Sequence, residues 1–116
     1  MLIGVPREIK VLENRVGLTT ESVREVVAHG HEVIVEHNAG QGIGMDDAAY
    51  VKAGAKVVGT AAEVFAAAEM IVKVKEPQAA ERAMLRPGQV LFTYLHLAPD
   101  PEQARDLIAS EAVCIA

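Results

Sequence analysis

The feature that most constrains this chain is the alternation of short apolar runs with stretches of helical period. Residues 2–6, 31–37, 55–59, 69–74, 89–94 and 112–116 are such runs, rich in Val, Ile and Leu. Short strands that are apolar on both faces belong to parallel sheets covered by helices, with the intervening helices as crossovers. The pattern predicts an α/β fold, a doubly wound, mostly parallel open sheet of the Rossmann-like kind.

Local punctuation supports that reading. Pro6 ends the first run, because it cannot donate to a continuing ladder. Residues 7–19 are polar and without clear period, hence a loop. Residues 20–29 read as a helix with Val23, Val26 and Val27 on one face and Gly30 as its stop. Asp46 can cap a helix through Lys52 that Gly54 terminates, and Thr60 with Glu63 fits a capping box ahead of an Ala-rich helix to about Ala68. A helix over 79–85 leads to the turn Arg86-Pro87-Gly88. Asp100 precedes Pro101, whose missing N–H is harmless at the first position of a helix ending near Ser110. The final apolar run reaches Ala116 with no polar exit, which suggests the N-terminal part of a longer polypeptide.

Composition narrows the partners. Sixteen Asp and Glu against eleven Lys and Arg give a net charge of −5, with no Trp, a poor match for nucleic acid. No apolar run approaches the ~18 residues needed to cross a bilayer. The start lacks the basic-then-apolar order of a secretion signal, and Cys114 is the single cysteine. The expectation is a cytoplasmic protein with no membrane partner, no nucleic-acid partner and no metal site.

In open parallel sheets ligands collect where loops diverge beyond the carboxyl ends of the strands. Arg7, Glu8, Lys10 and Arg15 follow the first strand, Lys75 follows the fourth, and His96 follows the fifth, next to Thr93 and Tyr94. An Arg fork matches a carboxylate, a Lys ammonium suits a carbonyl oxygen, and a His passes protons near neutrality. Together they fit a small 2-oxo, 2-hydroxy or 2-amino acid: carboxylate on Arg15, C2 oxygen on Lys75, proton transfer through His96, and Tyr94 as a weaker candidate for the pocket wall. Taken singly, each has a plainer reading as a surface, strand-end or packing residue; they gain weight only by sharing one edge. The loop Gly40-Gln-Gly-Ile-Gly44 is neither dinucleotide nor P-loop pattern and reads as a turn. His29, His31 and His37 lack carboxylate or Cys companions in spacing and read as surface residues. Cys114 reads as inert core, and Asp46, Asp47 and Asp100 as caps or first-turn acids.

The opening IGVPREIK, then ENRVGLT, the passage from HEVIVE to GQGIG, the KVKEP motif and LFTYLHLA resemble the N-terminal region of bacterial alanine dehydrogenases. The resemblance covers essentially the whole chain, in family order. The related proton-pumping nicotinamide nucleotide transhydrogenases share the opening and the VK strand end, but generally lack KEP and YLHLA. The resemblance implies that Arg15 holds the substrate carboxylate, Lys75 contacts pyruvate oxygen and His96 transfers protons. It implies reversible NAD-dependent oxidative deamination of L-alanine to pyruvate and ammonia, by a homo-oligomer, commonly a hexamer. Residues 1–116 would be the N-terminal substrate domain of a larger two-domain enzyme, incomplete by itself. No cofactor-binding residue is expected here: NAD would bind in a domain beyond the chain, and this segment alone would not turn over. Two alternatives stand beside this: a transhydrogenase segment, or a non-enzymatic module binding amino or oxo acids.

Overall fold

Six apolar runs become six strands in a computed structural model that describes all 116 residues. They are β1 (Leu2–Val5), β2 (Glu32–Glu36), β3 (Lys56–Val58), β4 (Met70–Val72), β5 (Val90–Phe92) and β6 (Val113–Ile115). The helices are α1 (Thr20–Ala28), α2 (Asp47–Ala53), α3 (Ala61–Ala67), α4 (Ala79–Arg82) and α5 (Pro101–Ser110). All five strand pairings are parallel, in the order β3-β2-β1-β4-β5-β6. The sheet is thus wound outward in both directions from β1 and β4, and the loops after those two strands diverge at the switch point.

Period-two alternation sends successive side chains to opposite faces. Ile3, Val5, Val33, Val35 and Val72 pack with Val23 of α1 and Tyr50 and Ala53 of α2. Ile34, Ile71 and Leu91 pack on the other face with Val64 and Phe65 of α3 and Leu107 of α5. Gly4 allows the closest approach: a Cβ there would lie 2.7 Å from both Ala68 and Val64 side chains, so α3 rests directly on β1. Beyond β4 the first face is less covered, and Phe92, Val113 and Ile115 stay about half exposed.

Capping follows the expected chemistry at Asp46, Thr60 and Asp100, each of which accepts the anticipated backbone N–H. The first helix is capped by Thr19, at the end of what the sequence reads as a loop. Elements end earlier than apolarity suggests. The fourth strand stops at Val72 rather than residue 74, the fifth spans Val90–Phe92 rather than 89–94, and α4 stops at Arg82 rather than residue 85. The cause at β4 is competition for donors: the Val74 and Lys75 N–H groups turn to the Glu8 carboxylate instead of a neighbouring strand.

Three minor expectations are corrected. Asp47 does not act only as a first-turn acid: its carboxylate accepts the Asn38 N–H at 2.9 Å and pairs with His37. His37 therefore has the carboxylate companion that sequence spacing did not show, and His29 lies 3.7 Å from Glu25 one helical turn back. Cys114 is half-buried on the edge strand rather than in the core, and burial pushes its thiol pKa up. No helix is long and apolar enough to cross a membrane.

Candidate functional site

The loop after β1 runs across the carboxyl ends of the sheet and is pinned at several points. The Arg7 N–H donates to Glu36 at 2.9 Å, and the Tyr50 hydroxyl, fully buried, donates to the Leu18 carbonyl at 2.8 Å. Burial pushes the Tyr50 hydroxyl up to about 12, so it stays a donor. Gly17 crosses β4 so closely that a Cβ would overlap the Val72 carbonyl oxygen, and a Cβ at Gly42 would overlap the Asn14 carbonyl. The Gly40–Gly44 loop, a 3-10 turn over Gln41–Ile43, is thus a buttress for the segment that carries Arg15.

Arg15 is held by its neighbour Glu13. Its Nε and Nη2 donate to the two carboxylate oxygens at 2.9 and 2.8 Å, and its own N–H donates to Glu13 at 2.8 Å. The guanidinium is 61% exposed while the Glu13 side chain is 5% exposed, so the acid is the anchor and the Arg the presented group. These bonds hold the Glu13 carboxyl down at about 2, with the Lys75 charge adding to the effect, and they raise Arg15 further above its ordinary value. One guanidinium edge is spent on Glu13, and Nη1 has no hydrogen-bond partner within the chain.

Two clefts meet at Arg15. One, of about 240 Å³, is polar and lined by Arg7, Glu8, Glu13, Asn14, Arg15 and Gln41 among others. The second, of about 670 Å³, runs over the open sheet face past Arg15, Gly17, Val72, Phe92, Thr93 and Tyr94. Tyr94 is 73% exposed and its ring stands within electrostatic reach of Arg15. Arg15 and Tyr94 therefore share a cavity wall.

Lys75 and His96 line neither cleft and flank them on the same carboxyl edge. Lys75 is half-buried, close enough to Glu13 to lower its pKa. His96 is exposed, with φ of +50°, an uncommon backbone state for a residue with a Cβ. The preceding Leu95 carbonyl accepts a 2.9 Å hydrogen bond from the buried Gln103 amide of α5, which fixes the turn. His96 acts electrostatically on Glu76, whose carboxylate is paired with Lys10. Burial opposes ionisation of Glu76, but the Lys10 partner, a backbone hydrogen bond and the neighbouring charges together lower the pKa. Arg15 thus lines both clefts, and Lys75 and His96 line neither, so the three do not surround one enclosed cavity.

Sequence reasoning missed the polar cluster beneath them. Lys73, Glu8 and Glu81 are buried, at 5%, 6% and 1% exposure. Lys73 Nζ lies 3.1 Å from a Glu8 oxygen and 3.1 Å from Glu81. Glu8 also accepts the Val74 and Lys75 N–H groups at 3.0 Å each. Burial raises the Glu81 pKa, with Lys73 opposing. The available signal was a lysine inside a run otherwise apolar on both faces, since such a charge is buried only when paired.

With this geometry in view, comparison with known proteins is decisive for the family. The profile described as "Alanine dehydrogenase/PNT, N-terminal domain" matches residues 4–116. This chain belongs to that family. It is 51% identical over 116 residues to an alanine dehydrogenase of Methanococcus maripaludis, covering 100% of this chain and 31% of the relative. A solved L-alanine dehydrogenase superposes with a TM-score of 0.97 at 49% identity, over 100% of this chain and 32% of the other. A transhydrogenase from Sinorhizobium meliloti superposes with a TM-score of 0.93 at 32% identity, over 100% of this chain and 34% of the other. The chain therefore spans about a third of the length of the relatives it matches. The closeness in sequence favours the alanine dehydrogenase branch of the family over the transhydrogenase branch.

Proposed function

We propose that this domain is the substrate-binding part of an NAD-dependent L-alanine dehydrogenase. The net reaction is L-alanine, NAD+ and water to pyruvate, ammonium, NADH and one proton, in either direction. The observation that carries the reading is the 51% identity to an alanine dehydrogenase along the whole chain. The presented Arg15 guanidinium supports it, since its orientation is fixed by Glu13 and its Nη1 is uncommitted.

In this reading Arg15 takes the substrate carboxylate through its uncommitted edge, a charge-assisted bond of about 1.5–3 kcal/mol. Lys75 places its ammonium on the C2 oxygen of pyruvate, drawing electron density from C2. His96 accepts or returns a proton at the C2 substituent, the general acid–base role for which an imidazole is suited. Tyr94 forms part of the wall. The full-length protein acts in the cytoplasm as a homo-oligomer, a hexamer on the family pattern.

The residues of this chain do not fit a dinucleotide. The turn after β1 is a long polar loop, and the helix after the glycine loop begins with Asp46 and Asp47, which would repel a pyrophosphate. NAD binding is accordingly assigned to residues outside this chain. The test is NADH absorbance from the full-length protein with L-alanine and NAD. Sustained turnover supports the assignment; its absence, in protein that binds NAD, overturns it. Residues 1–116 alone are expected to give no turnover. A transhydrogenase would show no alanine oxidation in the parent protein, and His96→Ala tests the histidine, because alanine oxidation that survives it would remove that residue from the chemistry. A non-enzymatic module would bind pyruvate calorimetrically without cofactor and yield no NADH.

A further inference from the structure

The buried acid in the loop after β1, Glu8, is in contact with the main chain of Lys75, and so is the hydroxyl of Thr93, the residue that follows β5. Glu8 Oε1 accepts the Lys75 N–H at 3.0 Å, while Thr93 Oγ1 donates to the Lys75 carbonyl at 2.9 Å. The preceding residue is gripped in the same way: Glu8 Oε2 accepts the Val74 N–H at 3.0 Å, and Thr93 Oγ1 lies 3.1 Å from the Val74 carbonyl. One hydroxyl hydrogen is shared between two carbonyls, and one carboxylate serves two N–H donors. Both side chains are buried, Thr93 at 5% exposure and Glu8 at 6%. The Glu8 carboxylate is itself held by Lys73 Nζ at 3.1 Å.

Residues 74 and 75 lie beyond the last β4 ladder position, where a single backbone bond, from the Tyr94 N–H to the Val74 carbonyl at 3.3 Å, carries on the pairing with the β5 side. A chain leaving a sheet is free to turn unless something else receives its backbone groups. Here the two peptides are received on their donor side by the loop after β1 and on their acceptor side by the segment that follows β5. We infer that Glu8 and Thr93 are positioning residues for Lys75, a clamp that sets the direction in which its side chain leaves the switch point. Both line the clefts that meet at Arg15, and the role assigned to them here is exerted through the Lys75 main chain. This rests on the role given to Lys75 above.

The clamp predicts a specific non-additivity in the full-length enzyme, read as kcat/KM for pyruvate reduction with ammonia. Thr93→Val keeps shape and removes the hydroxyl; Glu8→Gln keeps size and replaces one acceptor oxygen by a donor that opposes a backbone N–H. Each is expected to lower kcat/KM roughly tenfold when Lys75 is present, on the scale of losing one buried hydrogen bond. In a Lys75→Ala background each should cost no more than about twofold, because the group they position is gone. A residue with only a structural role would give the same loss in both backgrounds, and that result overturns the clamp while leaving the Lys75 assignment intact. If Lys75→Ala itself leaves kcat/KM unchanged, the role of Lys75 fails and the clamp with it. Should Glu8→Gln not fold, the Thr93→Val cycle decides alone: a matching loss with and without Lys75 rejects the inference, and a loss seen only with Lys75 upholds it.

Discussion

Two carboxylate–cation clusters occupy successive layers of the same edge, and they differ mainly in water. Below, Glu8, Lys73 and Glu81 are shut in, with the Lys73 and Glu8 side chains each at 1% exposure. Above, Glu13 and Arg15 make a bidentate pair whose guanidinium is 61% exposed. The attraction between a carboxylate and a cation grows as the dielectric falls, and so does the cost of stripping water from each. The lower cluster is therefore committed to the fold: remove one member and the others are stranded. The upper pair is worth little to stability, but it delivers an oriented fork to solvent, where a ligand can reach it.

The largest effect that tests this contrast is expected from Lys73→Met. It leaves the Glu8 carboxylate buried with backbone donors alone and should cost about 3–5 kcal/mol in denaturant unfolding. A cost below about 1 kcal/mol would mean that the lower cluster is no more committed than a surface pair. Glu81→Gln sharpens the point. Because burial raises the Glu81 pKa, its favourable contribution is present below the ordinary carboxylate range and is lost as pH rises through the raised value. The Gln variant should therefore gain on the parent protein as pH rises through that window, in thermal unfolding followed by circular dichroism.

Next in size is Gly17→Ala. The new Cβ meets the Val72 carbonyl, which is backbone and yields poorly, so a loss of about 1–3 kcal/mol is expected. The displaced loop should also weaken pyruvate binding, which joins the two layers in one measurement. Unchanged unfolding would show that the loop does not rest on β4. Arg15→Lys should separate the layers instead. Stability should stay within about 0.5 kcal/mol, while pyruvate affinity of the full-length protein falls roughly tenfold as the fork becomes a point charge. An equal loss in both would make the upper pair structural.

The smallest effect is on acid sensitivity. The Arg15 bonds lower Glu13 from 4.5 to about 2, so its contribution is present above pH 4.5 and fades as pH falls toward 2. Glu13→Gln should therefore be slightly less stable than the parent at neutral pH, with the difference vanishing as pH falls toward 2. A variant with the same acid limb as the parent would show that the pair does not persist in solution.

What the amino-acid sequence determined by itself is the local grammar. Apolar runs of strand length, the capping residues Asp46, Thr60 and Asp100, and the glycines that stop α1 and α2 act within a few residues of themselves, so the elements and the parallel class were readable. Arg15, Lys75, Tyr94 and His96 were recognisable as strand-end polar groups for the same reason. The strand order, the pairing of Glu13 with Arg15, and the offset of Lys75 and His96 from the shared cleft were decided by tertiary structure. Lys73 and Lys75 show why. They stand two apart with the same apolar neighbour between them, and strand periodicity treats them alike. The chain leaves the sheet after Val72, and the acid that receives Lys73 lies 65 residues earlier in sequence. One lysine becomes a buried strut and the other a half-buried cation at the sheet edge because of a partner that only folding brings near.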